Sequence, residues 1–131
     1  MASTGSGNGD QGAGTQGPGT GTIDYADFQK VEVRVGTVVR AEPFPEARRP
    51  AIKLWVDFGQ PVGVRKSSAQ ITRHYTPESV VGRQVVAVVN FPEKQIGKFM
   101  SEALVLGVPD ADGEVVLLSP DLPVPDGGRM Y

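Results

Sequence analysis

The sequence of 131 residues contains no cysteine and a single histidine, His74. The absence of cysteine excludes disulfide bonds, thiolate metal sites and cysteine nucleophiles. With one histidine, a metal site would depend on carboxylates alone, so we expect no metal and no other cofactor. Ser67 and Ser68 have no candidate general base except the distant His74, and no Gly-Lys-Ser/Thr phosphate-binding motif occurs. These absences favour a binding module over an enzyme.

Long apolar runs are also missing, so no stretch approaches a membrane span, and the start lacks the basic and apolar parts of a signal peptide. Residues 1–22 are mostly Gly, Ser, Thr and other small or polar residues, which cannot bury enough apolar surface to offset their ordering entropy. We therefore predict a disordered tail over 1–22; a native tail and a cloning remnant both fit. The expected folded unit is one domain over 23–131, in a cytoplasmic protein.

The net charge of −2 hides an uneven distribution along the chain. From Lys30 to Lys98 there are 12 Lys and Arg residues against 6 Asp and Glu residues. Residues 1–29 carry three acids and no base, and residues 99–131 carry six acids and one arginine. A basic middle between acidic ends suggests a surface that faces a polyanion, although an ordinary solvated surface fits the same composition.

Alternating hydrophobicity predicts a mostly β fold with short helices. In the clearest strand, 51–58, Ile52, Leu54, Val56 and Phe58 point inward while Lys53, Trp55 and Asp57 point outward. The other predicted strands cover 31–36, a third beginning at 62–65, 85–90, 103–106 and 115–118. Helical patterns lie at 24–28 and, in two short pieces, between 68 and 82; we predict a basic loop at 92–97 and an extended strap at 120–131.

Three strands, a helical connection and further strands form the order of an OB fold, a five-stranded Greek-key barrel. Residues 30–39 (KVEVRVGTVV) resemble the opening strand of the tRNA-binding domain family, and residues 74–86 (HYTPESVVGRQVV) resemble its helix-to-strand passage. Asn90 and residues 94–101 are similar to its basic loop and the serine that follows. The resemblance covers about residues 25–108, and it implies an OB-fold module without catalysis that binds tRNA or another structured RNA.

Within this family the sequence is most similar to CsaA-type export chaperones, through residues 44–54 (FPEARRPAIKL), 66–72 (KSSAQIT) and 120–127 (PDLPVPDG). That resemblance implies a homodimer that also binds unfolded or pre-secretory polypeptides. Two departures from the family pattern, at 67–71 and at Ser101-Glu102-Ala103-Leu104, predict weaker tRNA binding, because Glu102 would add a negative charge near the RNA. A purely polypeptide-binding chaperone and an RNA-binding assembly cofactor of an aminoacyl-tRNA synthetase remain alternatives.

The candidate RNA-binding residues are basic or neutral polar: Arg48, Arg49, Lys53, Arg65, Lys66, Arg73, Asn90, Lys94, Lys98 and Ser101. Arg48 and Arg49 lie on a proline-stiffened loop and can bind phosphates with bidentate hydrogen bonds. Lys53 beside Trp55 combines phosphate attraction with base stacking, although Trp55 would fit equally well under a partner subunit. Each basic cluster alone would also fit an ordinary solvated surface.

Four residues are candidates for stacking or for contact with a bound peptide: Phe44, Trp55, Phe99 and Met100. The alternative for the loop residues among them is that they cover the ends of the barrel. Phe91 directly follows a strand, and we expect it in the core. We also hypothesise that the strap at 120–131 holds the two subunits of a dimer together.

Overall fold

The structure is a computed structural model that describes residues 21–131. The segment predicted to be disordered, 1–22, lies outside the described residues except for its last two positions. The described residues form two short helices and nine strands: α1 (Tyr25–Gln29), β1 (Val33–Pro43), β2 (Ile52–Asp57), β3 (Val64–Ala69), α2 (Pro77–Val80), β4 (Gln84–Val88), β5 (Lys94–Ile96), β6 (Phe99–Ser101), β7 (Leu104–Val105), β8 (Gly107–Pro109) and β9 (Val115–Leu117).

Five strands form one antiparallel sheet in the order β3-β2-β1-β4-β7, and two hairpins, β5-β6 and β8-β9, are added to it. The sheet curls until β3 meets β7 and the residues before it, which nearly closes a barrel. The inward side chains predicted for β2 (Ile52, Leu54, Val56) and the adjoining Phe58 are all buried and form the centre of its core. The predicted five-stranded OB-like barrel is confirmed.

β1 pairs with both β4 and β2 because a bulge bends it in the middle. Its first half, Val33–Thr37, pairs with β4, and its second half pairs with β2. The register to β2 skips Val39, since Val38 lies opposite Val56 and Arg40 lies opposite Trp55. A residue inserted in this way leaves the ladder and increases the local twist, which helps the sheet to close.

The structure corrects the prediction of two helical pieces between 68 and 82. β3 runs through Ser68 to Ala69, turns follow, and α2 is the single helix of this segment. This segment is a strand because β3 pairs with β2 over six residues, which places Ser67 opposite Leu54 inside the barrel. Thr76 caps α2, because its hydroxyl accepts a hydrogen bond from the Ser79 amide.

Two further expectations were wrong. Residues 92–97 are not only a loop, because 94–96 form the first strand of the β5-β6 hairpin. Phe91, expected in the core, is 52% exposed, because β4 ends at Val88 and the chain has left the barrel wall before Phe91.

The strap, residues 120–131, turns at Asp126 and Gly127 and lies along β1 of its own chain. Gly127 N–H donates to Val35 O at 2.7 Å, Val35 N–H donates to Gly128 O at 2.9 Å, and Met130 N–H donates to Val33 O at 2.9 Å. It occupies the edge of β1 that β2 leaves free. Gly127 has φ +92° and passes so close to Phe58 O that a Cβ would lie 2.6 Å from that atom. That the strap joins two subunits stays a prediction.

Candidate nucleic-acid interface

The loop from Phe44 to Ala51 and the β5-β6 hairpin meet on the outer face of β2 and β3. Their contact has its own small apolar cluster, centred on Phe44, Ala51 and Phe99 and completed by half-buried Trp55 and Ile96. The ring centroids of Phe44 and Phe99 are 5.3 Å apart. We call this cluster the loop–hairpin core. It joins two segments that are far apart in sequence in the region where OB folds bind oligonucleotides.

The hairpin owes its shape to a two-residue turn at Gly97 and Lys98. Ile96 lies opposite Phe99, and Gly97 has φ +60°, a conformation that tight β-hairpin turns require and glycine adopts without strain. The turn carries Lys98 at its tip, and Lys94 lies at the other end of the hairpin. Both lysines are exposed.

Glu102 and Ser101 attach the hairpin to the edge of β3. Glu102 N–H donates to Lys66 O at 2.7 Å, and the Glu102 carboxylate accepts a hydrogen bond from Lys66 N–H at 2.9 Å. The Ser101 hydroxyl accepts from Ser68 N–H at 3.3 Å. Two side chains thus replace the missing partner strand at this edge. The Glu102 carboxylate, expected as an unfavourable charge near the RNA, is bound to the main chain of β3.

A groove of about 860 Å³ runs between the loop at 46–49, the end of β3 and the hairpin. We call it the basic groove, because its charged lining consists of three cations, Arg48, Arg49 and Lys94, and one acid, Glu46. Glu46 and Gly97 also line a second hollow of about 390 Å³, where Lys53 and Lys98 lie. The two hollows are therefore neighbours on one face.

Lysine side chains cover the aromatic rings beneath this face. Lys53 Nζ lies 4.8 Å from the ring centroid of Phe44 and 5.4 Å from that of Phe99, and Lys66 Nζ lies 5.3 Å from that of Phe99. Phe44 is 4% exposed and Phe99 is 8% exposed. Either ring could stack on a ligand only after the lysines moved, so in this structure both belong to the loop–hairpin core.

Trp55 and Met100 lie nearer the surface than these two phenylalanines, and both are half-buried. The guanidinium carbon of Arg40 lies 4.4 Å from the Trp55 ring centroid, and the same guanidinium pairs with Glu42. One face of the indole is therefore occupied by a cation. This contact depends on the bulge at Val39, for which the hydrophobic pattern carries no signal.

Residues 33–129 match the family described as "Putative tRNA binding domain". The chain belongs to the tRNA-binding domain family. It is 51% identical to the chaperone CsaA from Bacillus anthracis, with a TM-score of 0.78 over 85% of this chain and 100% of that chain. It is 29% identical to a MetRS-related protein from Pyrococcus horikoshii, with a TM-score of 0.76 over 86% of this chain and 100% of that one.

Methionine–tRNA ligases are also similar to this tRNA-binding domain. The ligase of Chlorobium chlorochromatii is 41% identical over 98 residues, which are 75% of this chain but 14% of the ligase. The chain therefore spans about one seventh of the length of such a relative. The predicted family and the similarity to CsaA are both confirmed.

The tRNA-binding domain brings most of the predicted cations to one face: Arg48, Arg49, Lys53, Lys66, Lys94 and Lys98. The amide of Asn90 is used elsewhere, because its Oδ1 accepts from Glu32 N–H at 2.9 Å and its Nδ2 donates to Lys30 O at 2.7 Å. Arg65 Nε donates to Val62 O at 3.3 Å. Arg73 is exposed in the turns after β3, next to Thr72, which lines a hollow shared with Arg48.

Sequence reasoning missed the neutral part of the basic groove, namely Ser68, Gln70 and Gln95. The prediction placed Ser68 and Gln70 in a helix, and Gln95 in a structureless loop. Ser68 and Gln70 alternate with the buried residues Ser67, Ala69 and Ile71, and this alternation was the available signal. Serine and alanine differ too little in polarity for it to predict a strand.

Away from this face, His74 joins the turn of the β8-β9 hairpin to the segment after β3. His74 Nε2 lies 2.7 Å from Asp110 Oδ2, and Asp110 Oδ1 accepts hydrogen bonds from Asp112 N–H and Glu114 N–H. The bond from His74, with help from the two amides, lowers the pKa of Asp110 below its usual value of 3.8. His74 thus connects two segments of the fold and lies away from the basic groove.

Between residues 21 and 131 no helix is both long and apolar enough to pass through a membrane. The same residues contain no group of three or more histidine, aspartate or glutamate side chains placed to hold a metal ion.

Proposed function

We propose that this tRNA-binding domain is a non-catalytic, cytoplasmic RNA-binding module that binds tRNA or a similarly structured RNA across the basic groove and the adjoining hollow. The observation that carries the proposal concerns charge pairing. None of the six cations gathered there forms a salt bridge to another residue within 21–131: Arg48, Arg49, Lys53, Lys66, Lys94 and Lys98.

Most of the other cations within residues 21–131 have a partner in the fold. Lys30, Arg34 and Arg40 form salt bridges, and Arg65, Arg83 and Arg129 donate hydrogen bonds to main-chain carbonyls. Six like charges on one face repel one another, so the folded domain gains free energy when a polyanion neutralises them. RNA offers phosphates at regular spacing, and binding to them releases counterions. Membership in a family of tRNA-binding domains supports RNA as this polyanion.

One relative and one surface feature of this domain support a second activity and an assembly state. The domain aligns with the whole of a protein described as the chaperone CsaA. It also exposes apolar residues on the β8-β9 hairpin and the strap, among them Val108, Val116 and Leu122. We propose that it forms a homodimer and binds unfolded or pre-secretory polypeptides. The similarity to methionine–tRNA ligases supports the alternative of an assembly cofactor for a synthetase.

The test of RNA binding is the anisotropy of labelled tRNA titrated with protein at several salt concentrations. Arg48→Gln/Arg49→Gln should weaken binding and reduce the slope of log K against log salt by about 0.7–0.9 for each phosphate that the variant no longer neutralises. The matched control, Lys30→Gln/Arg83→Gln, removes equal charge away from the groove. Equal slopes for the two double variants would contradict the proposed interface, and no binding at low salt would leave polypeptide binding as the function.

A further inference from the structure

A narrower slot opens from the floor of the basic groove. Its volume is about 160 Å³, and it shares Ser68, Gln70, Lys94 and Ile96 with the groove above it. Deeper in, its walls come from the barrel core and from β9, including Ala103 and Leu117. Water occupies roughly 30 Å³ per molecule in the liquid, so the slot has room for roughly five waters. That is enough space for one ring system.

The slot combines apolar walls with a polar mouth. Ile71 and Val105 are buried wall residues, whereas Ser68 and Gln70 lie at the entrance. Neither the Ser68 hydroxyl nor the Gln70 amide bonds to another group within residues 21–131. Donors and acceptors that are free at the mouth of an apolar slot are suited to a ligand with flat apolar faces and a polar edge.

We propose that this slot takes one unpaired nucleobase of an RNA whose phosphates lie in the basic groove. The inference rests on the proposed function and adds the class of RNA, because a base inside a duplex cannot enter the slot. Sequence-selective RNA recognition commonly uses bases of loops and single strands in this way. The charges next to the slot favour a nucleotide over an apolar peptide side chain, since Lys94 lines the slot and the adjoining groove adds Arg48 and Arg49 against one carboxylate, Glu46.

The first experiment compares three fluorescent probes: a twelve-nucleotide oligouridylate, the same oligonucleotide with abasic sugars at its four central positions, and a blunt RNA duplex of equal length. The abasic probe keeps its phosphates and loses only bases. We expect it to bind about tenfold more weakly than the intact oligonucleotide, since a stacked base is worth about 1–3 kcal/mol. Equal affinity of the two single strands would overturn the slot while leaving the basic groove intact.

The second experiment fills the slot. Ser68→Leu places an apolar side chain at its mouth, and Gln95→Leu adds the same group in the groove outside the slot. Ser68→Leu should bind the intact oligonucleotide as weakly as the wild type binds the abasic one, with no further loss on the abasic probe; Gln95→Leu should retain the tenfold preference. Thermal unfolding checks that both variants fold.

Three other outcomes separate the inferences. If wild-type protein binds none of the RNA probes at low salt, the proposed function fails together with the slot. If the duplex binds as tightly as the intact single strand, the nucleobase proposal is overturned and the groove remains. If Ser68→Leu spares RNA binding but abolishes binding of an unfolded apolar peptide, the slot serves polypeptides, which also overturns the proposal.

Discussion

The basic face and the strap side of the barrel use the same residue types in opposite ways. On the basic face, Arg48 and Arg49 make no salt bridge within residues 21–131. On the strap side, Arg34 donates from Nε to Glu32 at 2.7 Å and from a terminal nitrogen to Gly127 O at 2.7 Å. Arg129 donates to Gln29 O at 2.6 Å.

The hydrogen-bond partners of an arginine therefore indicate whether it stabilises the fold or is available to bind a ligand. A guanidinium that bonds to the chain's own carboxylates and carbonyls contributes to folding and has little left for a ligand. One without such partners contributes little to stability and retains its full capacity for phosphate. Sequence alone does not separate Arg34 from Arg49, because the strap that binds Arg34 is about 90 residues away.

The largest effect should come from removing the strap. Truncation after Pro123 deletes three main-chain hydrogen bonds to β1 and the bond from Thr37 to Asp126. At about 1 kcal/mol per bond, and with the two hydrogen bonds between Val124 and Gln84 included, the free energy of unfolding should fall by about 6 kcal/mol. Urea denaturation measures this change.

An unchanged urea midpoint would show that the strap contributes nothing to its own chain. Sedimentation of the same truncated protein tests the subunit hypothesis separately, since a strap that joins subunits should shift the mass toward the monomer. Affinity for tRNA, measured where the variant is still folded, should stay the same.

A second prediction separates two effects of Glu102 on RNA binding: its carboxylate positions the hairpin, and its negative charge repels RNA. Glu102→Ala leaves Lys66 N–H without its acceptor and loosens the hairpin that carries Lys94, so tRNA affinity should fall several-fold although a negative charge is removed. Glu102→Gln keeps an acceptor oxygen and should bind at least as tightly as the wild type. If both variants bind tRNA more tightly, charge alone governs the effect and the positioning role is refuted.

The third prediction compares one arginine from each region. Arg34→Ala should lower the free energy of unfolding by about 1–2 kcal/mol, because it leaves Gly127 O and the Glu32 carboxylate without their donor. Arg49→Ala should change it by less than about 0.5 kcal/mol. RNA affinity should fall more for Arg49→Ala than for Arg34→Ala. Thermal unfolding and tRNA titration of both variants provide the comparison, and equal stability losses would abolish the distinction.

The smallest effect concerns pH. The bond from His74 lowers the pKa of Asp110 below 3.8, so the ionised carboxylate favours the folded state. This contribution is present above about pH 3.8 and is lost as pH falls through the folded-state pKa. The melting temperature of Asp110→Asn should lie slightly below that of the wild type near neutral pH, and the two should converge in acid. A constant difference from pH 7 to pH 2 would contradict this assignment.

Sequence predicted the barrel because its core strand, β2, alternates strongly, and because several family motifs fall in order. It did not predict the length of β3, since Ser67, Ser68 and Ala69 have little contrast in polarity. Their conformation is fixed by pairing to Leu54 and its neighbours. The β5-β6 hairpin was missed for a related reason, as three-residue strands give too short a pattern to detect.

For the interface, sequence supplied the cations but not their surroundings. Lys53, Lys66 and Lys94 are adjacent in space only because the barrel brings β2, β3 and the hairpin together. Hydrogen bonds such as those of Asn90 cannot be inferred from residue type, because an asparagine on a loop is as well suited to a ligand as to the main chain. The slot has no sequence signal, since its walls are ordinary core residues.

The loop–hairpin core has a consequence for transplanting binding specificity between related barrels. Phe44 and Phe99 belong to different segments but share one contact, with ring centroids 5.3 Å apart. A chimera that received the hairpin alone would bury a phenylalanine against a loop that had not been selected to receive it. The loop and the hairpin therefore form one exchangeable cassette, and their solvent-facing tips are free to diversify as long as the two rings are inherited together.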